Sequence, residues 1–197
     1  MCQTETMRFL APLLAVTLTA AAPAGLQTAT FAGGCFWTME HGLDEVPGVV
    51  KTVAGYTGGT VANPSYEQVS SETTGHVEAV RVTFDPARIS YADLTRRYFR
   101  MIDPTDSGGQ ACDRGPSYRA TIFTNSSTQR QAALAVEAEA ARQLGRKIVV
   151  PVRGASSFWP AEGYHQHYAD KNKLQYGAYR VGCGRDRILA KLWGGAK

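Results

Sequence analysis

Apolar residues change period several times along this chain, and each change marks an element. Residues 26–31 alternate as a short strand, and Ala32-Gly33-Gly34 follows as a tight turn. Residues 36–46 carry helical spacing, stopped by Pro47-Gly48, and residues 49–56 form a valine-rich strand. Residues 57–75 hold Gly58-Gly59, Asn63-Pro64 and Ser70-Ser71, and predict a loop. A strand over 76–84 ends at Asp85-Pro86. Ser90 with Asp93 starts a helix on which Tyr91, Leu94, Tyr98 and Ile102 recur at helical spacing, ended by Asp103-Pro104. A second long loop spans 103–117, and a strand covers 118–124. Ser126 with Gln129 forms a capping box before an alanine-rich helix that reaches Leu144, with Gly145 as its cap. A short strand at 148–152, an aromatic and glycine-rich stretch after Gly154, and a helix near 164–173 complete the pattern.

The first six elements run strand, helix, strand, strand, helix, strand. The expected class is therefore α+β, a ferredoxin-like split βαβ two-layer sandwich with an extra helix and strand and a long C-terminal tail. No internal repeat or second domain is evident. The two long loops are unusual in a compact domain and point to function.

Composition narrows the classes. A chain of 197 residues that is 44% hydrophobic and 19% charged can bury a sizeable core in one domain. A net charge of +4, spread in short groupings such as Arg96-Arg97 and Arg146-Lys147, lacks the clustered basic face of a nucleic-acid binder. The segment before the first strand differs in kind. Met7-Arg8 precedes an apolar run over 9–22, and Ala22-Pro23-Ala24 offers a small-residue cleavage site. This is the pattern of a secretory signal over residues 1–24, and the run is short for a membrane span. The alternatives are a membrane anchor or a cytoplasmic protein. Export predicts a periplasmic or secreted protein, in a compartment where disulfides persist. Met1 and Met7 are both candidate starts.

Beyond that segment Cys35, Cys112 and Cys183 remain. No Cys-x-x-Cys occurs, so neither a zinc ribbon nor a thioredoxin-type site is indicated. Cys35 lies between a Gly-Gly turn and a predicted helix. The positive end of the helix dipole is expected to lower its pKa and make it a nucleophile. Glu78 shares a strand face with Val80, Val82 and Phe84, so it is expected to be buried, neutral and able to donate a proton. Phe36 and Trp37 offer aromatic walls for an apolar group such as a methyl. Tyr66 and Tyr118, in or beside the two loops, carry hydroxyls suited to a polar oxygen. The His165-x-His167 pair lacks a patterned carboxylate or cysteine, so a metal is not expected, and His165 is read as ordering the pocket. Two other readings use the same residues. One is a cysteine hydrolase or acyltransferase with His76 or His165 as base. The other is a secreted binding module stapled by Cys112 and Cys183.

The motifs resemble those of the methionine sulfoxide reductase A family. Gly34-Cys35-Phe36-Trp37 with Glu40 is similar to the family signature. Gly55-Tyr56-Thr57-Gly58-Gly59, Pro64-Ser65-Tyr66-Glu67-Gln68-Val69 and Thr74-Gly75-His76-Val77-Glu78 follow in the family's order. So do Asp103-Pro104-Thr105, Asp113-Arg114-Gly115-Pro116-Ser117-Tyr118-Arg119, Phe158-Trp159-Pro160-Ala161-Glu162 and Tyr164-His165-Gln166. The resemblance covers about residues 31–173. It implies that Cys35 attacks the sulfoxide sulfur and that Phe36 and Trp37 hold the substrate methyl. It implies that Glu78, Tyr66 and Tyr118 bind and protonate the sulfoxide oxygen, and that Asp113 supports the site. The implied substrate is the S epimer of methionine sulfoxide, free or in proteins. A sulfenic acid on Cys35 would condense with a second thiol to a disulfide. In the family that thiol lies in the tail, here Cys183 in Gly182-Cys183-Gly184, with flanking glycines expected to make the tail mobile. Family members often have two tail cysteines, and this tail has one. Cys112 could resolve, relay or be inert. The implied scheme needs no cofactor beyond an external thioredoxin or thioredoxin-like reductant. A monomer is expected, as one domain over 25–197 with a catalytic core at about 28–173 and the tail at 174–197.

Overall fold

The computed structural model describes residues 25–194. The signal-peptide reading of residues 1–24 lies outside the described residues. The elements are β1 Gln27–Ala32, α1 Phe36–Asp44, β2 Val49–Thr57, α2 Tyr66–Ser70, β3 Val77–Phe84, α3 Tyr91–Arg100, β4 Gly109–Gln110, β5 Asp113–Arg114, a 3₁₀ turn Pro116–Tyr118, β6 Thr121–Thr124, α4 Ser127–Leu144, β7 Val152–Gly154, β8 Phe158–Pro160, α5 Tyr168–Lys171, α6 Lys173–Cys183 and α7 Arg185–Trp193. The class is α+β.

Six strands form one sheet in the order β7-β6-β1-β3-β2-β8. β3 lies between β1 and β2 and is antiparallel to both. β6 joins β1 antiparallel, and β7 adds to β6 in parallel. Alternation assigns the two faces. Ala29, Phe31, Val80, Val82 and Phe84 point to the face where Phe36, Met39 and Leu43 of α1, Leu94 and Tyr98 of α3, and Ala133 and Val136 of α4 complete the main core. Ala32, Ala79 and Phe123 form a small cluster on the other face, flanked by Val77 and Phe158, with the Arg81 guanidinium 4.5 Å over the Phe158 ring.

The helix starts follow local chemistry. Ser90 and Ser126 accept from the amides of Asp93 and Gln129, and Gly145 closes α4 in the left-handed region. Ser65 and Gln68 form a reciprocal capping box that starts α2 inside the stretch expected to be a loop. The second expected loop holds the β4–β5 hairpin and the 3₁₀ turn.

Three expectations need correction. The strand expected at 148–152 pairs only from Val152; Ile148 and Val150 are buried without joining the ladder. The helix expected near 164–173 is split, with turns up to His167, a single α5 turn, and α6 beginning at Lys173. The tail is two docked helices and not a mobile coil. Tyr176, Arg185 and Trp193 are buried, and the Trp193 indole donates to Ile102 O at 3.2 Å. Burying those three side chains outweighs the helix penalty of Gly177 and Gly182.

Candidate active site

The site lies where β1 turns into α1. Gly34 takes φ +82°, a conformation that glycine alone adopts without strain, and Cys35 becomes the N-cap of α1. From β3, Glu78 reaches the same turn, and its Oε2 accepts from the Phe36 amide at 2.9 Å. Cys35 and Glu78 are 7% and 3% exposed. Burial pushes the Glu78 carboxyl up to about 8, opposed by the Phe36 amide and reinforced by Asp113. Near neutral pH it is mostly a neutral acid.

Cys35 departs from its expected electrostatics. Burial, then the charges of Glu78 and Asp113, raise its pKa, and the Trp37 amide and the Tyr179 hydroxyl only partly offset this. The helix N-terminus acts in the expected direction, but desolvation outweighs it with the tail docked. The free thiol is therefore protonated in this state.

Aromatic side chains wall the turn. The Phe36 ring lies 4.9 Å from His165 and 5.8 Å from Tyr56. Trp37 stacks on Tyr168 at 3.7 Å and 7°, and its Nε1–H donates to His165 Nδ1 at 2.9 Å. Burial lowers the pKa of His165, so it stays neutral and accepts at Nδ1. The Tyr66 ring sits 4.5 Å from His165, and its amide donates to Glu162, which also accepts from the Tyr56 hydroxyl. The phenols of Tyr66 and Tyr118 are raised by burial and then by the charge of Glu78. Cys35, Phe36, Trp37, Tyr66, Glu78, Tyr118 and His165 thus converge from α1, α2, β3, the 3₁₀ turn and the segment before α5.

His165 and His167 do not share a site: His167 Nδ1 lies 3.0 Å from Asp44, and its amide donates to Glu40. Among the described residues neither His76 nor His165 is hydrogen-bonded to Cys35, as a hydrolase base would be.

Asp113 and the tail complete the site. Cys112 and Cys183 are joined by a disulfide with Cα atoms 5.0 Å apart. This gives Cys183 a partner other than Cys35 and gives Cys112 a bonded role that its sequence context left open. Asp113 Oδ2 accepts from the Tyr179 hydroxyl at 2.6 Å, and Tyr179 stands edge-on to Trp37 at 6.0 Å. Sequence reasoning missed Tyr179. Tyr176 and Tyr179, three residues apart and so on one face of a helix, were the available signal. It also missed Glu162, although that residue sits inside a quoted motif.

A profile of the peptide methionine sulfoxide reductase family matches residues 27–197. The chain belongs to this family. A protein of Caulobacter vibrioides named peptide methionine sulfoxide reductase MsrA 2 is 52% identical over 184 residues, covering 93% of each chain. Among solved structures, reduced Mxr1 from Saccharomyces cerevisiae is similar with a TM-score of 0.73 and 31% identity, covering 80% of this chain and 91% of that one. Mxr1 in complex with Trx2 is similar with a TM-score of 0.53 and 22% identity, covering 78% and 91%, a likeness that bears on fold alone.

Proposed function

We propose that this chain reduces methionine sulfoxide, free and in proteins, to methionine, with Cys35 as nucleophile and Glu78 as acid. The observation that carries the reading is the placement of a buried thiol and a buried, mostly neutral carboxyl on one turn, bridged by the Phe36 amide. Sulfoxide oxygen leaves poorly unless protonated, so an acid beside the thiol supplies what the reaction lacks. The Cys35 sulfur attacks the sulfoxide sulfur, and Glu78 donates toward the oxygen with Tyr66 and Tyr118 as further hydroxyl donors. The sulfur–sulfur bond so formed and the substrate's sulfur–oxygen bond then break as the protonated oxygen moves to Cys35; methionine leaves, Cys35 is left as sulfenic acid, and the thiol proton restores Glu78 to its acid form. Phe36 and Trp37 enclose the methyl, and His165 fixes the Trp37 indole.

Resolution uses the tail. A thiol of the Cys112, Cys183 pair attacks the sulfenic sulfur, expels water and forms a disulfide with Cys35. The second thiol then exchanges, leaving Cys112–Cys183 and a free Cys35 thiol. That end state matches the bonding present here. An external dithiol of thioredoxin type closes the cycle by reducing Cys112–Cys183, and the electron balance closes without a metal or prosthetic group. Mxr1 is a relative solved with such a partner.

The S epimer is the proposed substrate. Export to the periplasm or beyond, as a monomer, is the proposed setting, supported by the signal-like residues 1–24 and by a disulfide in the fold. No helix among the described residues is long and apolar enough to cross a membrane.

Dithiol-dependent reduction of a racemic methyl sulfoxide tests the reading. Half the substrate should be consumed, leaving the R epimer, and Cys35→Ser should remove the activity with the fold intact. Consumption of both epimers, or a tenth of the activity surviving in Cys35→Ser, would overturn it. N-terminal sequencing of the exported protein tests cleavage near Ala24.

A further inference from the structure

Arg185 opens α7, two residues after Cys183, and is 3% exposed. Its Nη2 donates to Gly33 O at 2.6 Å and to Met101 O at 2.7 Å, and its Nε donates to Met101 O at 3.1 Å. Its Nη1 is buried with no partner. Among the described residues no carboxylate lies within ion-pair distance of it. A buried guanidinium without a counter-charge is costly, so this position calls for a reason. Met101 caps the C-terminus of α3, whose dipole offsets part of the charge. The remaining nitrogen faces the active-site turn: a Cβ placed on Gly34 would lie 3.0 Å from Nη1. Gly34 thus makes room for the guanidinium as well as for the turn, and the next residue is Cys35.

We propose that Arg185 is a positioning residue for the nucleophile: its guanidinium, held against the carbonyl of Gly33 and the backbone of Gly34, is the counter-charge that favours the Cys35 thiolate. Burial lowers the Arg185 pKa, and negative charge on Tyr179, Cys35, Asp113 and Tyr176 acts against that, so an anionic Cys35 and the charged guanidinium favour one another. Arg185 stays protonated over the working range because a guanidinium holds its proton strongly. It opposes the burial and the carboxylates that otherwise keep the thiol protonated. The inference rests on Cys35 being the nucleophile, but its test reads a thiol pKa and needs no reductase activity. Loss of sulfoxide reduction and loss of this electrostatic role are therefore separate outcomes.

The experiment uses the full chain with Cys112–Cys183 intact, the state in which Arg185 is docked and Cys35 is a free thiol. Alkylation of Cys35 by iodoacetamide is followed by peptide mass across pH in the parent, Arg185→Gln and Arg185→Lys. Other groups facing Cys35 shape each profile equally: Glu78 from β3, Asp113 from β5, Tyr66 from α2, Tyr118 from the 3₁₀ turn, and Tyr176 and Tyr179 from α6. Arg185→Gln is expected to move the Cys35 midpoint up by about one unit or more, slowing alkylation about tenfold at neutral pH. Arg185→Lys should restore most of that shift. An unchanged midpoint in Arg185→Gln, or equal shifts in both variants, would show that Arg185 only anchors the tail. Should Arg185→Gln not fold by circular dichroism, the uncharged Arg185→Met takes its place. An upward move of about a unit in Arg185→Met supports the charge role, and a midpoint equal to the parent overturns it.

Discussion

The Tyr179 hydroxyl donates to Asp113 Oδ2 at 2.6 Å, and this bond runs beside the Cys112–Cys183 disulfide. Both links tie α6 to the β4–β5 hairpin, one through a phenol and one through sulfur. The Tyr179 hydroxyl also acts on the Cys35 thiol, lowering its pKa, and the ring stands edge-on to Trp37, so the docked tail lies over the proposed nucleophile and its aromatic wall. With the tail docked, Cys35 is buried, and reduction of the disulfide is expected to open access to it. Cys35 should alkylate more slowly with Cys112–Cys183 intact than after reduction. Tyr179→Ala should erase most of the difference, about tenfold for a hydrogen bond to a carboxylate worth about 1.5 kcal/mol. Equal rates in the two redox states of the parent would refute the cover.

Glu78 sets a pH limit. Its carboxyl titrates near 8 because burial disfavours the anion, and in the proposed reaction the neutral form is the proton donor. Single-turnover formation of the Cys35 sulfenic acid should fall as pH rises through about 8, about tenfold per unit beyond, once the thiol's own titration is divided out. Glu78→Gln should lower the rate by about 10²–10⁴ and flatten that limb. The same group affects stability. The folded state holds this proton up to about 8, whereas an exposed glutamate releases it near 4.5. The folded state thus binds more protons between those values, so stability falls as pH rises from about 4.5 to about 8. Chemical denaturation at pH 5 and pH 8 should show a smaller loss in Glu78→Gln than in the parent. A single-turnover rate that stays pH-independent between about 7 and about 9.5 after the thiol's titration is divided out would remove Glu78 as the acid.

Much of this was legible in the residues because local rules and the fold agree. Ser126 and Gly145 bracket α4 as their cap chemistry requires, although Gln129 Oε1 accepts from the Asn125 amide and not from Ser126 as a capping box would; Glu78 faces the core because strand alternation leaves it no other side. The thiol pKa was not legible, since dipole and burial act in opposite directions and only the packed structure ranks them. The tail was misjudged for a related reason. Gly177, Gly182 and Gly184 argue locally for flexibility, but the buried Tyr176, Arg185 and Trp193 are long-range contacts that spacing alone does not reveal. The pairing of Cys112 with Cys183 spans 71 residues and has no local signature.

The cap on α4 gives a stability test away from the chemistry. Ser126 Oγ accepts from the Gln129 amide at 3.1 Å, and Gln129 Oε1 accepts from the Asn125 amide. Ser126→Ala leaves one amide of the first turn without its partner and should cost about 1 kcal/mol in urea denaturation, with activity unchanged. A loss below about 0.3 kcal/mol would mean that water replaces the cap.

The order of thiol exchange separates Cys112 from Cys183. A reducible relay should leave Cys112–Cys183 after one turnover, as in the structure. Cys183 adjoins the tail segment whose Arg185 packs on the Gly33–Gly34 turn, and Cys112 adjoins Asp113, so both thiols neighbour the site. Cys183 is expected to attack first, because freed α6 carries it as a mobile element, whereas Cys112 is fixed in a hairpin. Cys112→Ser should then trap a Cys35–Cys183 disulfide, and Cys183→Ser should stall as Cys35 sulfenic acid after one equivalent of methionine. Both variants should lose turnover with a thioredoxin-type dithiol, since the disulfide that it reduces cannot form. Peptide mapping after one turnover reads the species directly. A Cys35–Cys112 disulfide in Cys183→Ser with fast resolution would reverse the order. Full thioredoxin-driven turnover in both variants would make Cys112–Cys183 a structural staple and leave Cys35 to be reduced directly.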